Sequence, residues 1–348
     1  MRLLALIKKE FLSIIKDKQN SIIVFLAPLI QLLIFSFSIN LDIKNIDLAI
    51  FNQSNSKQTK EILYKFEGSR YIRNIYMVKS YEEANKLLEL KKAISIVVFP
   101  PNFGIKNNSI QVISDGRRSN SAQIAESYIL SMTNENNSLE IRNLYNPNLN
   151  NYWWILPSVF GSVSLVSAFA LTAMSIARER ELGTFDQILV SPLSALQIML
   201  GKLIPAIIIS IFNATIILLI AFFGFDIPLV GDLWLLYLGV IVFLFSVCGI
   251  GLFVSSISKT QQQAILYTFV FLLPSFLLSG FATPVENMPN WLEPFTNLVT
   301  LKYYLLFLRS IFLKDISFID SLEYLIPMFL IGIASFIFAM QFFKRKSS

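Results

Sequence analysis

The sequence predicts an α-helical integral membrane protein with six transmembrane helices and an inserted small α/β extracytoplasmic domain. The chain of 348 residues is 54% hydrophobic and only 15% charged, whereas soluble domains carry about 25% charged residues. Its mean hydropathy is +0.60. Six apolar runs contain no Asp, Glu, Lys or Arg, and a polar stretch of about 110 residues separates the first run from the second. Each run is long enough for a helix to cross a bilayer.

The six runs divide the chain into four regions. Residues 1–21 form an amphipathic segment, 22–39 the first transmembrane helix, 40–152 the α/β domain and 153–348 a five-helix transmembrane region. Only three residues, Ser258, Lys259 and Thr260, separate the fourth run from the fifth, which predicts a tight hairpin. The runs lie at about 22–39, 154–176, 203–225, 233–258, 260–285 and 325–343.

The distribution of Lys and Arg predicts the orientation of the chain. With both termini inside, the inner segments carry 12 basic residues and five acidic ones. The outer loop 226–232 has two Asp and no basic residue. Cytoplasmic segments of membrane proteins are enriched in Lys and Arg. Residues 40–152 are therefore expected to be extracytoplasmic, and the net charge of +6 requires no nucleic-acid partner.

The N-terminal segment is predicted to lie on the inner membrane surface. Leu4, Ile7, Phe11 and Ile14 share one helical face, and the lysines lie elsewhere. An amphipathic, basic helix of this kind binds at the bilayer interface. A solvated basic tail is the alternative. The first run is interpreted as an uncleaved membrane helix, although small residues near its end also resemble a signal-peptide cleavage site.

Strand-like and helix-like segments alternate between residues 41 and 152. Strands are predicted at 46–51, 72–78, 93–99 and 110–114, and helices at 56–66, 80–92 and 121–133. This alternation is typical of an α/β domain. Asp115-Gly116 is interpreted as a turn.

The composition excludes several chemistries. The chain has no His and one Cys, which removes His-based catalysis and Cys-based zinc binding. The six runs carry no ionisable side chain, whereas proton- or ion-driven transporters usually do. Gly201-Lys202 lacks the remainder of a phosphate-binding loop. We therefore expect no catalytic residue, no metal site and no cofactor bound by this chain.

The inner loop between the second and third runs is the most informative segment. Thr184 and Gln187 are predicted to form a capping box at the start of a short amphipathic helix, 185–190. Ser191 is predicted to cap the next helix, with Pro192 at its first position. The short helix is interpreted as a docking element for a cytoplasmic protein. A loop ordered by lipid is the alternative.

Two motifs in this sequence resemble the type-2 ABC transporter permeases. The first, at 178–192, reads RERELGTFDQILVSP and is followed by Leu200-Gly201-Lys202. The second, at 284–292, reads PVENMPNWL and continues to Arg309. It departs from the common pattern because Val299-Thr300 replaces an Asn-Pro pair. The order of the runs and the position of the insertion are also similar to that family.

The resemblance implies a transporter subunit without its own nucleotide site. ATP and Mg²⁺ would bind a separate ABC ATPase subunit. A coupling helix near 178–191 would contact that ATPase through Arg178, Glu179, Arg180, Glu181, Leu182, Gly183, Thr184, Phe185, Gln187, Leu189, Ser191 and Pro192. Residues 283–312 would form a re-entrant outer segment containing Pro284, Glu286, Pro289, Trp291 and Arg309.

The resemblance also implies an exporter in the bacterial cytoplasmic (inner) membrane. It would move a hydrophobic or amphipathic substrate outward. Its expected partners are the ATPase, a second permease chain (an identical copy or a paralogue), membrane lipids and an envelope adaptor. The alternative is a structural or secretion-system membrane protein with the same six spans and ectodomain.

Overall fold

The computed structural model describes residues 2–16, 22–38, 46–54, 56–90, 92–101, 103, 109–115, 119–133, 151–281, 285 and 288–347. The chain divides into two compact units, one of residues 1–39 with 143–348 and one of residues 40–142. We describe each unit by itself.

The N-terminal part of the larger unit contains two helical segments. Helix α1 spans Arg2–Lys16. A π-helical turn, Ile22–Leu26, leads into α2, Ala27–Ser38. Pro28 lies at the second position of α2, and a proline ring displaces the carbonyl four residues before it. The change of helix type at this point therefore has a local cause.

The smaller unit is a four-stranded sheet with helices. The sheet order is β2-β1-β3-β4, with β1 parallel to β2 and β3, and β4 antiparallel to β3. The central strands are almost entirely buried, whereas edge strand β2 is mostly not. In chain order the elements are β1 Ile46–Asn52, α3 Lys57–Glu67, β2 Ile72–Val78, α4 Tyr81–Glu89, β3 Ser95–Phe99, β4 Gln111–Ser114 and α5 Ser119–Thr133.

These strands and helices occupy the segments that the sequence pattern predicts, within a few residues. An ion pair also joins the two parallel strands β1 and β2. The Arg73 guanidinium donates to both carboxylate oxygens of Asp47, and Asn74 Nδ2 donates to Asp47 Oδ1 at 2.8 Å. Gly116, the second residue of the predicted turn, lies outside the described residues.

Nine further helices complete the larger unit within the described residues. In chain order they are α6 Asn151–Ala173, α7 Ser175–Glu181, α8 Phe185–Leu189, α9 Ala195–Phe225, α10 Leu233–Ile257, α11 Gln261–Leu278, α12 Glu293–Thr296, α13 Thr300–Leu313 and α14 Phe318–Ser347.

Five helices among the described residues are long and apolar enough to cross a membrane. They are Ile155–Glu181, Ala195–Phe225, Leu233–Ile257, Gln261–Leu278 and Phe318–Arg345. They correspond to the second to sixth predicted runs, and the tight hairpin between α10 and α11 is present. In the first predicted run the apolar helix is shorter, Val24–Ile34. The chain is therefore a multi-pass helical membrane protein. A transmembrane helix in the first run stays a prediction.

Glycines allow the helices of the larger unit to pack closely around α10. A Cβ added to Gly239 would lie 2.1 Å from the Phe307 ring of α13, and Phe307 is fully buried. A Cβ added to Gly251 would lie 2.0 Å from Thr172 Oγ1 of α6. Small residues at such contacts are the usual means by which transmembrane helices associate.

This packing predicts that Gly239→Ala destabilises the protein. The new methyl group must displace a buried ring, which costs about 1–3 kcal/mol of unfolding free energy. Gly224→Ala is the matched control, since its Cβ would find its nearest neighbour at 3.9 Å. Thermal unfolding of both variants in detergent measures the difference. Equal midpoints for the two variants would contradict the close contact.

Candidate functional site

The candidate segment, residues 178–192, consists of two short helices joined by a sharp turn. Helix α7 ends at Glu181 and α8 begins at Phe185. Gly183 in the turn has a φ of +71° and no atom within 4 Å of an added Cβ. This conformation favours glycine, so backbone geometry alone explains the residue. The short helix predicted at 185–190 is present as α8, Phe185–Leu189, and the turn at Gly183 divides the region near 178–191 into two helices.

The predicted capping box of Thr184 and Gln187 is wrong. Thr184 has helical dihedral angles and its side chain makes no capping bond. Its hydroxyl instead donates to the Glu179 carboxylate. A bond to a charged acceptor is strong and directs the hydroxyl to Glu179, and in this orientation its oxygen caps no amide of α8. The Gln187 side chain is exposed.

The predicted start of the following helix at Ser191 and Pro192 is also wrong. Helix α9 begins three residues later, with Ser194 as its N-cap. Ser194 and Gln197 form a reciprocal capping box. Ser191 Oγ donates to the Ile188 carbonyl at 2.6 Å and thus closes the end of α8. Both Ser191 and Ser194 fit the sequence pattern of an N-cap residue, but only Ser194 makes both hydrogen bonds of a capping box.

A group of four charges, three of them buried and one half exposed, lies behind this segment. We call it the ion cluster: Lys9 and Glu10 of α1, Glu179 of α7 and Lys202 of α9. Lys202 Nζ lies 3.1 Å from Glu10 Oε1 and 3.8 Å from Glu179 Oε1, and its side chain is 1% exposed. Lys9 Nζ contacts both carboxylates, with Glu10 at 3.2 Å.

The ion cluster joins three helices through charges that could not be buried singly. Desolvation of an unpaired ammonium or carboxylate costs several kcal/mol, so each member requires the others. Burial lowers the pKa of Lys9, but its hydrogen bond to Glu179 and the two neighbouring carboxylates outweigh burial and raise that pKa. Lys9 therefore stays protonated and holds α1 against α7.

Two further side chains of α7 bind the ends of α10 and α11. Arg180 Nη1 donates to the Ser256 carbonyl at 2.9 Å and to the Ser258 carbonyl, at the C-terminus of α10. Its guanidinium also lies 4.7 Å from the centre of the Phe185 ring. Glu181 Oε2 accepts hydrogen bonds from the backbone and side-chain nitrogens of Gln261, at 3.0 and 3.1 Å.

The exposed part of the segment lies in the turn and on α8. The Leu182 side chain is 62% exposed and that of Val190 84% exposed. The Asp186 and Pro192 side chains are also exposed, and that of Leu189 lies outside the described residues. Phe185 packs against Phe343 of α14, with ring centres 5.8 Å apart. The segment thus has an inner half that contacts five helices, α1, α9, α10, α11 and α14, and an outer half with two uncovered apolar side chains.

Most of the residues that hold this segment in place were not predicted from the sequence. Glu10, Lys202 and Ser255 were not among the candidates. The Ser255 hydroxyl accepts from the backbone nitrogens of Ile176 and Ala177 at 2.8 and 3.1 Å. One signal was present, since Lys202 is the one charged residue within the apolar helix α9.

The predicted outer segment is described in part. Pro284 and Glu286 lie outside the described residues. Pro289 accepts a hydrogen bond from the Leu292 nitrogen at 2.8 Å in a turn, and Trp291 is 70% exposed. Arg309 Nη2 on α13 donates to Ser158 Oγ of α6 at 3.1 Å and to the Gly280 carbonyl at 3.4 Å. The structure therefore places Arg309 between helices and Trp291 on the surface.

The larger unit combines five helices that are long and apolar enough to cross a membrane with a short, partly exposed segment between two of them, and comparison with known proteins defines the class. Residues 21–340 match the model of the ABC-2 family transporter protein. The chain belongs to this family.

Named relatives agree with this family. The chain is 36% identical to the probable multidrug ABC transporter permease YbhR of Escherichia coli, over 99% of each chain. It is 27% identical to YbhS of E. coli, also a probable multidrug ABC transporter permease, over 90% of this chain and 88% of the relative. Similarity to ABC transporter G family member 20 of Dictyostelium discoideum is 23% over 89% of this chain and 46% of the relative.

The ion cluster predicts a large effect for Lys202→Met. The substitution leaves two buried carboxylates with Lys9 alone, and breaking a buried pair costs about 3–5 kcal/mol. Lys259→Met, at an exposed position of the α10–α11 hairpin, is the control and should stay within about 0.5 kcal/mol of wild type. Unfolding in detergent measures both.

A compensating variant separates charge balance from side-chain packing. Lys202→Met combined with Glu10→Gln removes one charge of each sign, so it should recover part of the loss. If Lys202→Met unfolds like wild type, the ion cluster does not hold α1 in place.

Proposed function

We propose that this chain is the membrane-spanning subunit of an ATP-driven exporter and that its exposed segment 182–190 docks on a separate ATPase. ATP and Mg²⁺ would bind that ATPase and not this chain. Membership of the ABC-2 family and the permease relatives imply an ATPase partner. The observation that carries the docking surface is the pair of exposed apolar side chains, Leu182 and Val190, next to a rigidly held α7.

The contacts of α7 support a mechanical role for the segment. Three consecutive charged residues of α7 make these contacts. Glu179 binds α1 and α9. Arg180 binds the end of α10 and Glu181 binds the start of α11. Movement of α8 would reach these helices together, because α7 is tied to them by charge-assisted hydrogen bonds and, at Lys202, by an ion pair. Closure of an ATPase dimer on ATP would supply the push.

Charge distribution supports the proposed orientation. The segment 178–192 lies on the side of the chain that is rich in Lys and Arg, and such segments face the cytoplasm. Both termini are then cytoplasmic, and residues 40–142 are extracytoplasmic. We infer that the protein resides in a bacterial cytoplasmic membrane, as its similarity to permeases of Escherichia coli supports.

The proposed cargo is hydrophobic or amphipathic and moves outward. The apolar spans, with 31 phenylalanines in the chain, and relatives described as probable multidrug permeases support this class. A second permease chain, identical or paralogous, would complete the path. The segment around Pro284, Glu286, Pro289, Trp291 and Arg309 would contribute to its outer end, where an envelope adaptor could also bind.

Replacing an exposed apolar side chain should weaken the ATPase contact. Val190→Asp puts a charge into the centre of the proposed docking surface, and we expect the ATPase to be lost from the complex during gentle-detergent purification. Lys259→Ala changes the net charge by the same amount at an exposed position outside the segment, and it should retain the ATPase. Mass analysis of the purified complexes measures the ratio of subunits.

Either of two results would contradict this assignment. Val190→Asp could retain a full complement of ATPase. Alternatively, the wild-type chain could purify without any nucleotide-binding subunit, which would favour a structural or secretion role.

The turn at Gly183 provides a second test. Gly183→Val forces a β-branched residue into left-handed geometry at a cost of about 1–2 kcal/mol, without a steric clash. The angle between α7 and α8 should change, and transport per ATP hydrolysed should fall by about tenfold, the factor that 1.4 kcal/mol produces.

Gly183→Asn is the matched control, because Asn tolerates positive φ, and it should keep transport close to wild type. Reconstituted vesicles allow transport and ATP hydrolysis to be measured together. If Gly183→Val and Gly183→Asn transport equally per ATP hydrolysed, the geometry of the turn has no role in coupling ATP hydrolysis to transport.

A further inference from the structure

The two oxygens of the Glu179 carboxylate bind different parts of the protein. Oε1 accepts a hydrogen bond from Lys9 Nζ on α1 and lies 3.8 Å from Lys202 Nζ on α9. Oε2 accepts a hydrogen bond from the Thr184 hydroxyl. One carboxylate therefore connects the residue in front of α8 to α1 and α9.

Thr184 moves with α8 because its backbone begins that helix. The Thr184 carbonyl accepts a hydrogen bond from the Ile188 nitrogen at 3.3 Å, and the Thr184 nitrogen donates to the Glu179 carbonyl at 3.0 Å. The hydroxyl is thus held at a defined place between the start of α8 and the end of α7.

The hydroxyl supplies a restraint that the lysines do not supply. The last torsion of a glutamate side chain has broad, roughly two-fold preferences, so contacts through Oε1 alone leave the carboxylate plane free to turn. The second bond, through Oε2, fixes that plane. The Glu179 side chain is 11% exposed, and an acceptor left without its donor at such a place is costly.

We propose that Thr184 is a positioning residue, whose hydroxyl holds the Glu179 carboxylate towards Lys9 and so makes the attachment of α1 depend on the position of α8. A movement of α8 that withdraws the hydroxyl weakens the contact with Lys9 and releases α1. The use of this relay in transport rests on the proposed docking of an ATPase at α8.

Thiol labelling at the contact between α1 and α9 tests the relay without an ATPase. Leu6 of α1 is 8% exposed, and its side chain lies where a Cβ of Gly201 would be. A thiol introduced by Leu6→Cys therefore reacts with N-ethylmaleimide when α1 separates from α9. If α1 closes faster than the thiol reacts, the rate measures the population of the separated form. The full chain is labelled in phosphatidylcholine nanodiscs.

Thr184→Val keeps the shape of the side chain and removes the hydroxyl. In the Leu6→Cys chain we expect labelling to become about tenfold faster, a ratio that corresponds to about 1.4 kcal/mol, because the bond that fixes Glu179 is lost. Thr184→Ser keeps the hydroxyl and should label within about twofold of the parent chain.

Two controls separate the relay from a general loosening of the fold. Thr215→Val removes another threonine hydroxyl, which lies 2.9 Å from the Tyr237 hydroxyl of α10, and it should leave Leu6→Cys labelling unchanged. The natural Cys248 is fully buried in α10 and reports opening of the helix bundle. Its labelling, followed in chains that retain Leu6, should stay slow in every variant.

The role of Lys9 is tested by combining substitutions. Lys9→Met should itself speed the labelling of Leu6→Cys, because it removes the bond between α1 and Glu179. Residues that act through one network have non-additive effects. Adding Thr184→Val to Lys9→Met should therefore change the rate by less than about twofold, where it changes the parent rate about tenfold.

The complex with the co-purifying ATPase adds a functional measurement. ATP should change the labelling rate of the parent Leu6→Cys chain and of Thr184→Ser, since α8 moves and the relay is intact. Thr184→Val should label at the same fast rate with and without ATP, because α1 is already released.

Three results would overturn the proposal. Thr184→Val could label at the parent rate, Thr184→Ser could label as fast as Thr184→Val, or Cys248 could become reactive together with Leu6→Cys. Failure of the docking proposal is seen separately, as a chain that purifies without an ATPase. The labelling rates of the isolated chain would still decide whether the relay exists.

Discussion

The architecture on the proposed cytoplasmic side depends on one buried ammonium group. Lys202 lies within the apolar helix α9 and its side chain is 1% exposed, where an unpaired charge would cost several kcal/mol. Its partners Glu10 and Glu179 come from helices that are remote in sequence. Because neither carboxylate can be buried without a lysine, α1, α7 and α9 must assemble together. Gly201 permits this, since the Leu6 side chain of α1 occupies the space where its Cβ would be.

In the proposed function, this constraint is what would allow α8, a short exposed helix, to transmit force. An isolated helix of five residues is far below the length that is stable in water, so α8 cannot hold its own shape. Its flanks are held instead, by the ion cluster and Arg180 on one side and by Ser191 and the capped start of α9 on the other. A protein that pushes on Leu182 or Val190 can therefore displace α8 only by moving the helices that hold its two ends.

Features that depend on composition over many residues could be predicted from the sequence, and those that depend on distant partners could not. The apolar runs around α9 and α10 and the buried strand at 46–51 are each visible in a single stretch of chain. Lys202 and Glu10 are 192 positions apart, and no local pattern links them. The Thr184 error has a local origin, because its hydroxyl donates to Glu179, only five positions earlier in the chain. The Ser191 error is different: two Ser-based starts compete within four residues, and only a complete capping box decides between them.

A cavity of about 90 Å³ between α1, α6, α7 and the start of α11 shares two side chains with the ion cluster, and this has a thermodynamic consequence. Glu10 and Glu179 form part of the cavity wall and also hold α1 against α7. A ligand in the cavity that prefers one position of α1 must therefore change the energy of the positions available to α7. The effect is reciprocal, so movement of α7 would change the affinity of the cavity for that ligand by the same factor.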